Sequence, residues 1–437
     1  MSSRYDCIVI GGGPTGLGTA WTLGRLGLRV LLLEQGPELA GLAGSYQLGR
    51  ARIERFYHHC FRSDRYLLEA LRDLGLSDRM EWKPAPTGFF SGGKVHLLNG
   101  ILEGFQFPIL GIWDKWRLLR ATCEARDSVA EIEKLDGVTA REWITAHCGE
   151  RVWLRFFRPL ISAKFGEDCD SVSAAWIVNR MGTRSDRGNK GERLGYPQNG
   201  FAEILERLSD EVRRLSTIRT GAGVGRILIR NGRVEGVESA AGLFSSPAVV
   251  STVSPQALLG MAELPPKDAA RVARIRFQGV VCALFGLKRP LQNAYWLNIA
   301  EPSLPFGLLV EHTNFHDVPE YDGVKLLYAA TYLDPRGAPL WGRDDAAVAR
   351  VYMDALERRF GLDPSDVLWW RVSRAAAAGP VYRTGFWSSR PPIRGEVGGL
   401  FLGGMMSQYP DRGLSQSLGQ SQELAQAVRE SLEPARV

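Results

Sequence analysis

Tyr5 to Ile10 is a short, mostly apolar run that breaks into Gly11-Gly12-Gly13-Pro14-Thr15-Gly16-Leu17-Gly18. Beyond the break, Ala20, Leu23 and Leu26 recur at the three-residue spacing of a helix with one buried face. Gly27 ends that pattern, and a second apolar run from Arg29 to Leu33 stops at Glu34. Strand, glycine-rich turn, helix and strand in this order predict an α/β domain built on a parallel sheet. Farther on, Tyr66, Leu67, Ala70, Leu71 and Leu74 keep three- and four-residue spacing, and the chain from Asp64 to Arg180 reads as helical. From Val280 to Tyr332 the runs are short, β-branched or aromatic and broken by Pro and Gly, which predicts a sheet. Asp344 to Phe360 and Ser421 to Leu432 read as amphipathic helices.

The first turn carries chemistry. A glycine at 11 permits a tight turn, one at 13 lets backbone approach a pyrophosphate at the helix N-terminus, and one at 16 lets helix and strand pack closely. Glu34, 18 residues after Gly16, is placed to accept from ribose hydroxyls and disfavours a 2′-phosphate. Pro14, Thr15 and Gln35 complete this candidate dinucleotide site.

Composition adds bounds. A chain of 437 residues predicts two or three domains, and 45% hydrophobic with 23% charged residues excludes disorder. Glycine numbers 49, about 11% against roughly 7% in ordinary proteins, and clusters near both ends, as backbone against a ligand requires. The net charge of +6 is spread without a run of five like charges, which argues against a nucleic-acid partner. Six cysteines form neither a C-x-x-C pair nor a zinc spacing, so the expectation is a reducing, cytoplasmic compartment and no metal. No apolar run approaches the roughly 18 residues of a membrane span, and a strand beginning at Tyr5 leaves no room for a leader.

Past Glu34 come Ala40-Gly41-Leu42-Ala43, then Pro159 to Gly166, Leu194 to Phe201, Val224 with Arg233 to Val237, Val249 to Val253, and Gly399 to Gly404. In this order the segments resemble the flavin amine oxidase and protoporphyrinogen oxidase group through nearly the whole chain. The resemblance implies FAD, held at Gly41, Leu42 and Ala43 as well as the first turn. It also implies that the main chain at Val224 lies against adenine. Gly404 and Met405 would meet the ribityl chain and phosphate, and Arg412 with Gly413, Leu414 and Ser415 the flavin's pyrimidine edge. This chain departs from the group with Ala40 for a glycine, Leu42 for a frequent arginine, and Met405 for a frequent acid. The implied fold is α/β: a discontinuous Rossmann-like FAD-binding domain (1–56, 195–256, 394–437) and a substrate domain of mixed sheet and helical cap (57–194, 257–393).

The implied activity is an FAD-dependent oxidoreductase moving hydride between flavin and a medium-sized organic substrate, lipid-like or sugar-containing. Arg55 to Phe61 is similar, more weakly, to the flavin-facing loop of UDP-galactopyranose mutases. His58 matches that loop's first histidine and Phe61 replaces the second. A non-redox flavin-dependent isomerase is therefore the alternative, and an FAD-bound protein without turnover a third reading.

Candidate catalytic residues are His58, Glu311, Asn314 and Arg412. His58 and His59 would lie on opposite faces if extended, so at most one of them faces the flavin. Glu311 and Asn314 follow the apolar run Phe306 to Val310, where a sheet points them into a cavity or a loop leaves them exposed. Lys164 is either a cavity or a surface lysine. Gly104 to Leu119 mixes Phe105, Phe107, Ile109, Leu110, Ile112, Trp113 and Trp116 with Lys115, Arg117 and Arg120. That composition suits a peripheral contact with the inner membrane face or a buried edge of the cap. The oligomeric state stays open.

Overall fold

The computed structural model describes residues 4–99, 101–183 and 193–433. Its first sheet is parallel, with strands Leu400–Leu402, Val249–Ser251, Cys7–Ile10, Val30–Leu33 and Thr217–Arg219 in that spatial order. All four residues of Cys7–Ile10 and of Val30–Leu33 are buried because both faces of the sheet are covered. Cys7, Val9 and Leu32 pack with Leu17, Leu23, Leu208 and Leu424 from the helices Pro14–Arg25, Phe201–Leu215 and Leu414–Leu432. Ile8, Ile10, Leu31 and Leu33 face Ile227, Val237 and Phe244 of an antiparallel meander, Val224–Arg230, Arg233–Ser239 and Gly242–Ser245.

The second sheet has seven strands, in the order Val367–Pro380, Phe277–Leu287, Lys325–Leu333, Leu308–Glu311, Trp296–Ile299, Thr87–Ser91 and Lys94–Leu97. Its pairings are antiparallel except that of Trp296–Ile299 with Thr87–Ser91. Helix Asp345–Phe360 covers one face, burying Val348, Tyr352 and Leu356 against Val281, Phe285 and Leu327. Asp344 caps that helix by accepting from the Ala347 N–H at 2.7 Å. The opposite face looks toward the first sheet. Helices Ile112–Ser128, Ala140–Cys148, Arg158–Phe165 and Ala174–Thr183 form the cap.

The helical reading of 64–180 fails over residues 80–97. Met80–Pro84, Thr87–Ser91 and Lys94–Leu97 are strands, and the first two pair with Arg193–Pro197 and Trp296–Ile299, more than 100 residues away. Local periodicity carries no signal from partners so distant, but Thr87–Ser91 also pairs with Lys94–Leu97 across Gly92-Gly93, a local hairpin that the helical reading passed over. Helix Arg65–Asp73 joins neither cap nor sheet; Tyr66 presses on Gly419 of Leu414–Leu432, where a Cβ would lie 2.6 Å from its ring.

Glu311 and Asn314 are also corrected. Glu311 is fully buried, and its carboxylate accepts from the N–H groups of Leu291 (2.9 Å) and Gln292 (3.1 Å). Asn314 Nδ2 donates to the carbonyls of Gln292 (2.6 Å) and Ala294 (3.0 Å). Together they pin the loop before Trp296–Ile299, and neither reaches the cavity described below.

Burial pushes the Glu311 carboxyl from 4.5 up to about 7, although the two loop N–H groups favour the charged form. A folded-state value above the unfolded one means that this group's stabilisation is complete below about pH 4 and is lost as pH rises through 7. Glu311→Gln keeps an acceptor oxygen and cannot ionise. Between about pH 5 and pH 8 the parent should lose up to about 3 kcal/mol that the variant retains. Denaturant titrations at both pH values check this, and parallel pH profiles would contradict it.

Candidate functional site

One cavity of about 1200 Å3 runs from the Gly11 turn, across the space between the two sheets, to the cap helices. At its first end the backbone is shaped by glycine. A Cβ on Gly16 would fall 1.9 Å from the Gly11 carbonyl oxygen, and one on Gly11, at φ 103°, 2.6 Å from Thr252 Oγ1. Gly13 differs, because a Cβ there would meet nothing within 4 Å. Protein packing therefore does not demand a glycine at 13, and the space beside it is open to a ligand.

Helix Pro14–Arg25 begins here with no side-chain cap and no acid in its first turn, so its N–H groups and positive dipole end are available to an anion. Glu34 stands alongside, Oε2 accepting from the Gly12 N–H at 2.6 Å and Oε1 from the Gly36 N–H at 2.8 Å. These bonds orient the carboxylate and leave lone pairs for hydroxyl donors. Ala40 holds φ 77°, a left-handed conformation that favours the glycine it replaces, and its N–H reaches the Gly12 carbonyl at 2.8 Å.

Gly404, at φ 81°, would place a Cβ 2.5 Å from the Thr252 carbonyl, and its N–H donates to Gln420 Oε1 at 2.8 Å. Gly413 starts helix Leu414–Leu432, again without a side-chain cap, so a second helix N-terminus opens on the cavity. Between the two helix ends Gln408 donates from Nε2 to Ser417 Oγ at 3.1 Å. Its Oε1 is buried with no donor opposite among the described residues, an acceptor suited to a ligand hydroxyl.

The middle of the cavity is aromatic. Tyr57 and Tyr332 share a hydrogen bond of 3.0 Å, and Trp296 meets Tyr57 edge-on at 5.2 Å. His58 Nδ1 lies 2.6 Å from the Phe56 carbonyl, which assigns the proton to Nδ1. Burial, helped by the Arg412 charge, pushes this imidazole down to about 4 and keeps it neutral at pH 7. His59 also lines the cavity, with Nδ1 3.0 Å from Tyr295 Oη. Both histidines therefore border the cavity, although His58 packs on Phe201 and His59 on Phe61, Tyr295 and Trp296, on a stretch Phe56–His59 that is irregular rather than a strand.

Every other predicted cofactor residue (Gly11, Gly13, Pro14, Thr15, Glu34, Gln35, Gly41, Leu42, Ala43, Val224, Gly404, Met405, Gly413, Leu414, Ser415) borders this cavity, whereas Gly16 lies behind it. His58, Arg412 and Lys164 are on its wall. Sequence reading missed Gln408, Tyr57, Trp296 and Tyr332. Tyr57 lies within the Arg55 to Phe61 loop singled out above and Gln408 four residues before Arg412, so nearness to those residues was the signal for both.

The Flavin containing amine oxidoreductase family matches residues 14–429. The chain belongs to that family. FAD is its cofactor, and the open space at Gly13, the two uncapped helix ends, Glu34 and the Gln408 Oε1 acceptor fit such a group. A putative protoporphyrinogen oxidase from Exiguobacterium sp. 255-15 has the same fold, with a TM-score of 0.77 at 18% identity over 99% of this chain and 100% of that one. Reduced UDP-galactopyranose mutase superposes with a TM-score of 0.75 at 18% identity, covering 98% and 96%. Cyclohexylamine oxidase from Brevibacterium oxydans IH-35A gives 0.71 at 19%, covering 99% and 100%. These likenesses establish the architecture, and the family match makes the chain an FAD-dependent oxidoreductase.

Gly13 and Gly16 should therefore respond differently to substitution. Gly13→Val, at an extended φ of −75° with open space around it, should melt like the apo parent and retain at least tenfold less FAD. Gly16→Ala should lower stability itself, by about 1–3 kcal/mol for an overpacked contact. Thermal melts of the apo proteins and FAD content after desalting separate the two, and equal FAD retention in Gly13→Val would contradict the assignment.

Proposed function

We propose that the chain transfers hydride between FAD and a medium-sized organic molecule held between the seven-stranded sheet and the helical cap. The observation that carries this reading is the continuity of the cavity, from the dinucleotide turn past Tyr57 and Trp296 to the cap residues Phe156 and Ile177. When bound, FAD supplies the hydride acceptor or donor. In this reading the N-terminus of Pro14–Arg25 holds the diphosphate, Glu34 accepts from the ribose, and Gln408 Oε1 accepts from the ribityl chain. The main chain at Val224 bounds the adenine end.

His58, carrying its proton on Nδ1 and neutral at pH 7, keeps Nε2 as a hydrogen-bond acceptor for a substrate N–H or O–H. Arg412 and the N–H groups at Leu414 to Gln416 favour negative charge at the reacting end. The rings of Tyr57, Trp296 and Tyr332 exclude water. Phe61 on the cavity wall, packed edge-on to His59 at 5.2 Å, stands where an isomerase of the mutase type would need a second histidine, and this favours the redox reading. Loss of the visible flavin absorbance on adding candidate substrates, with and without oxygen, tests turnover. A substrate converted with no change in flavin oxidation state would turn the assignment to an isomerase.

Arg412→Ala should lower the midpoint potential of the bound flavin by about 30–60 mV, the equivalent of losing a charged interaction of about 1.5–3 kcal/mol. Spectroelectrochemical titration reads it, and an unchanged potential would make Arg412 structural.

We also propose that the cap docks on an anionic bilayer. No helix among the described residues is long and apolar enough to cross a membrane. Phe107 and Leu110 are buried and the Phe105 side chain lies outside the described residues, but Ile112, Trp113, Trp116 and Leu119 are 60%, 73%, 54% and 56% exposed on one helix. Arg117 and Arg120 flank them, the latter over the Trp116 ring at 5.6 Å. Lys115, Leu118 and Leu119 of the same helix line the cavity, so the apolar face adjoins its mouth. Rings with basic neighbours bind the interface, and salt screens the attraction. The parent should co-sediment with anionic vesicles at low salt and a Trp113→Ser/Trp116→Ser variant should not. A parent left in the supernatant would end this reading.

A further inference from the structure

We infer that Gly379 is a positioning residue for the redox reaction: by having no side chain, it fixes where the Arg412 guanidinium stands on the chamber wall. This rests on Arg412 acting at the reacting end of FAD. Gly379 lies in Val367–Pro380, an edge strand of the seven-stranded sheet, whereas Arg412 comes from the segment that leads into helix Leu414–Leu432. A Cβ on Gly379 would overlap Arg412 Nε and stand 2.7 Å from its Cδ and 2.9 Å from its Cζ. The three atoms nearest to that Cβ all belong to Arg412. Backbone conformation does not ask for glycine here, because φ at 379 is outside the left-handed region. The missing side chain therefore makes room for the arginine.

The ladder brings the strand to this place. Gln278 pairs with Gly379 and Val280 with Ala375, so the single residue Gly279 stands opposite Ala376, Ala377 and Ala378. A bulge of this kind re-aims the strand, and Ala377 and Ala378 join Arg412 on the cavity wall. Polar contacts do not fix the arginine. Among the described residues its guanidinium makes no hydrogen bond or salt bridge, and Asp411, which accepts from the Arg412 backbone N–H at 2.9 Å, holds Arg180 Nε at 3.0 Å. Tyr332, Tyr382, Asp411 and Tyr57 act on its charge without such a bond. What sets its place is steric and independent of the charge balance around Asp411. A methyl group added at 379 is relieved by moving the arginine, whose torsions have other staggered wells, rather than the paired strand.

Spectroelectrochemical titration of the FAD-loaded parent, Gly379→Ala, Arg412→Ala and the double variant tests this. Gly379→Ala should lower the midpoint potential by at least about half of the fall in Arg412→Ala, because the guanidinium no longer keeps one ordered place beside the flavin. In the Arg412→Ala background the same methyl group has room, so the double variant should titrate with Arg412→Ala. A potential in Gly379→Ala at or above the parent's, or an equal fall in both backgrounds, would overturn the inference. FAD content and thermal melts are read on the same samples. If Gly379→Ala folds or holds FAD poorly, the double variant should recover to the level of Arg412→Ala, and a defect that persists there also overturns it. A parent-like potential in Arg412→Ala refutes the reading of Arg412 and the role of Gly379 with it. A fall in Arg412→Ala without one in Gly379→Ala refutes the positioning role alone.

Discussion

Backbone from three distant parts of the chain meets around Thr252, and the rest of the site depends on how closely it can approach. The Thr252 N–H and Oγ1 both donate to the Ile10 carbonyl, at 3.0 and 2.9 Å, while Gly11, Gly16 and Gly404 leave no room for a Cβ. That contact joins the edge of the first turn to the strands Val249–Ser251 and Leu400–Leu402 and aims two helix N-termini into one cavity. Glycine is required there by distance as much as by φ, since a side chain at any of the three would separate segments that a parallel sheet must hold together.

The two sheets are coupled by a buried acid rather than by apolar contact alone. Glu54, 1% exposed, accepts from Tyr196 Oη and from the Phe201 N–H, both at 2.7 Å, while its carbonyl receives the Tyr328 hydroxyl at 2.6 Å. One residue so ties a hairpin strand, the start of helix Phe201–Leu215 and a central strand of the larger sheet. Burial raises the pKa of this carboxyl, and the two donors offset part of that cost. Glu311 does similar work at a loop. Both acids are structural, which is why a buried carboxylate near a cavity is by itself poor evidence of catalysis.

Helix Ile112–Ser128 and the cluster at Trp176 give the cavity a polarity along its length. Apolar and basic residues of that helix line one end, aromatic and aliphatic side chains line the chamber around Trp176, and donors and acceptors suited to a dinucleotide line the far end.

The dinucleotide end was legible in the sequence because its requirements are local. A strand, a turn with glycines at fixed intervals, a helix and an acid at the next strand's end lie within 34 residues, and each position follows from backbone sterics and a helix dipole. The parallel sheet, the family and the cofactor follow from that stretch and its matching segments downstream. What tertiary structure decided is every feature with partners far apart in the chain. The strands Met80–Pro84 and Thr87–Ser91 have partners at residues 193–197 and 296–299, whereas the hairpin of Thr87–Ser91 with Lys94–Leu97 across Gly92-Gly93 was a local signal passed over; Glu311 and Asn314 turned away from the cavity because the loop at 291–294 claimed their hydrogen bonds. Lys164 stayed ambiguous until Asp411 and Trp176, supplied by separate elements, appeared beside it. Periodicity reports which face of an element is buried, whereas what lies opposite that face is set by packing between segments that the sequence does not place side by side.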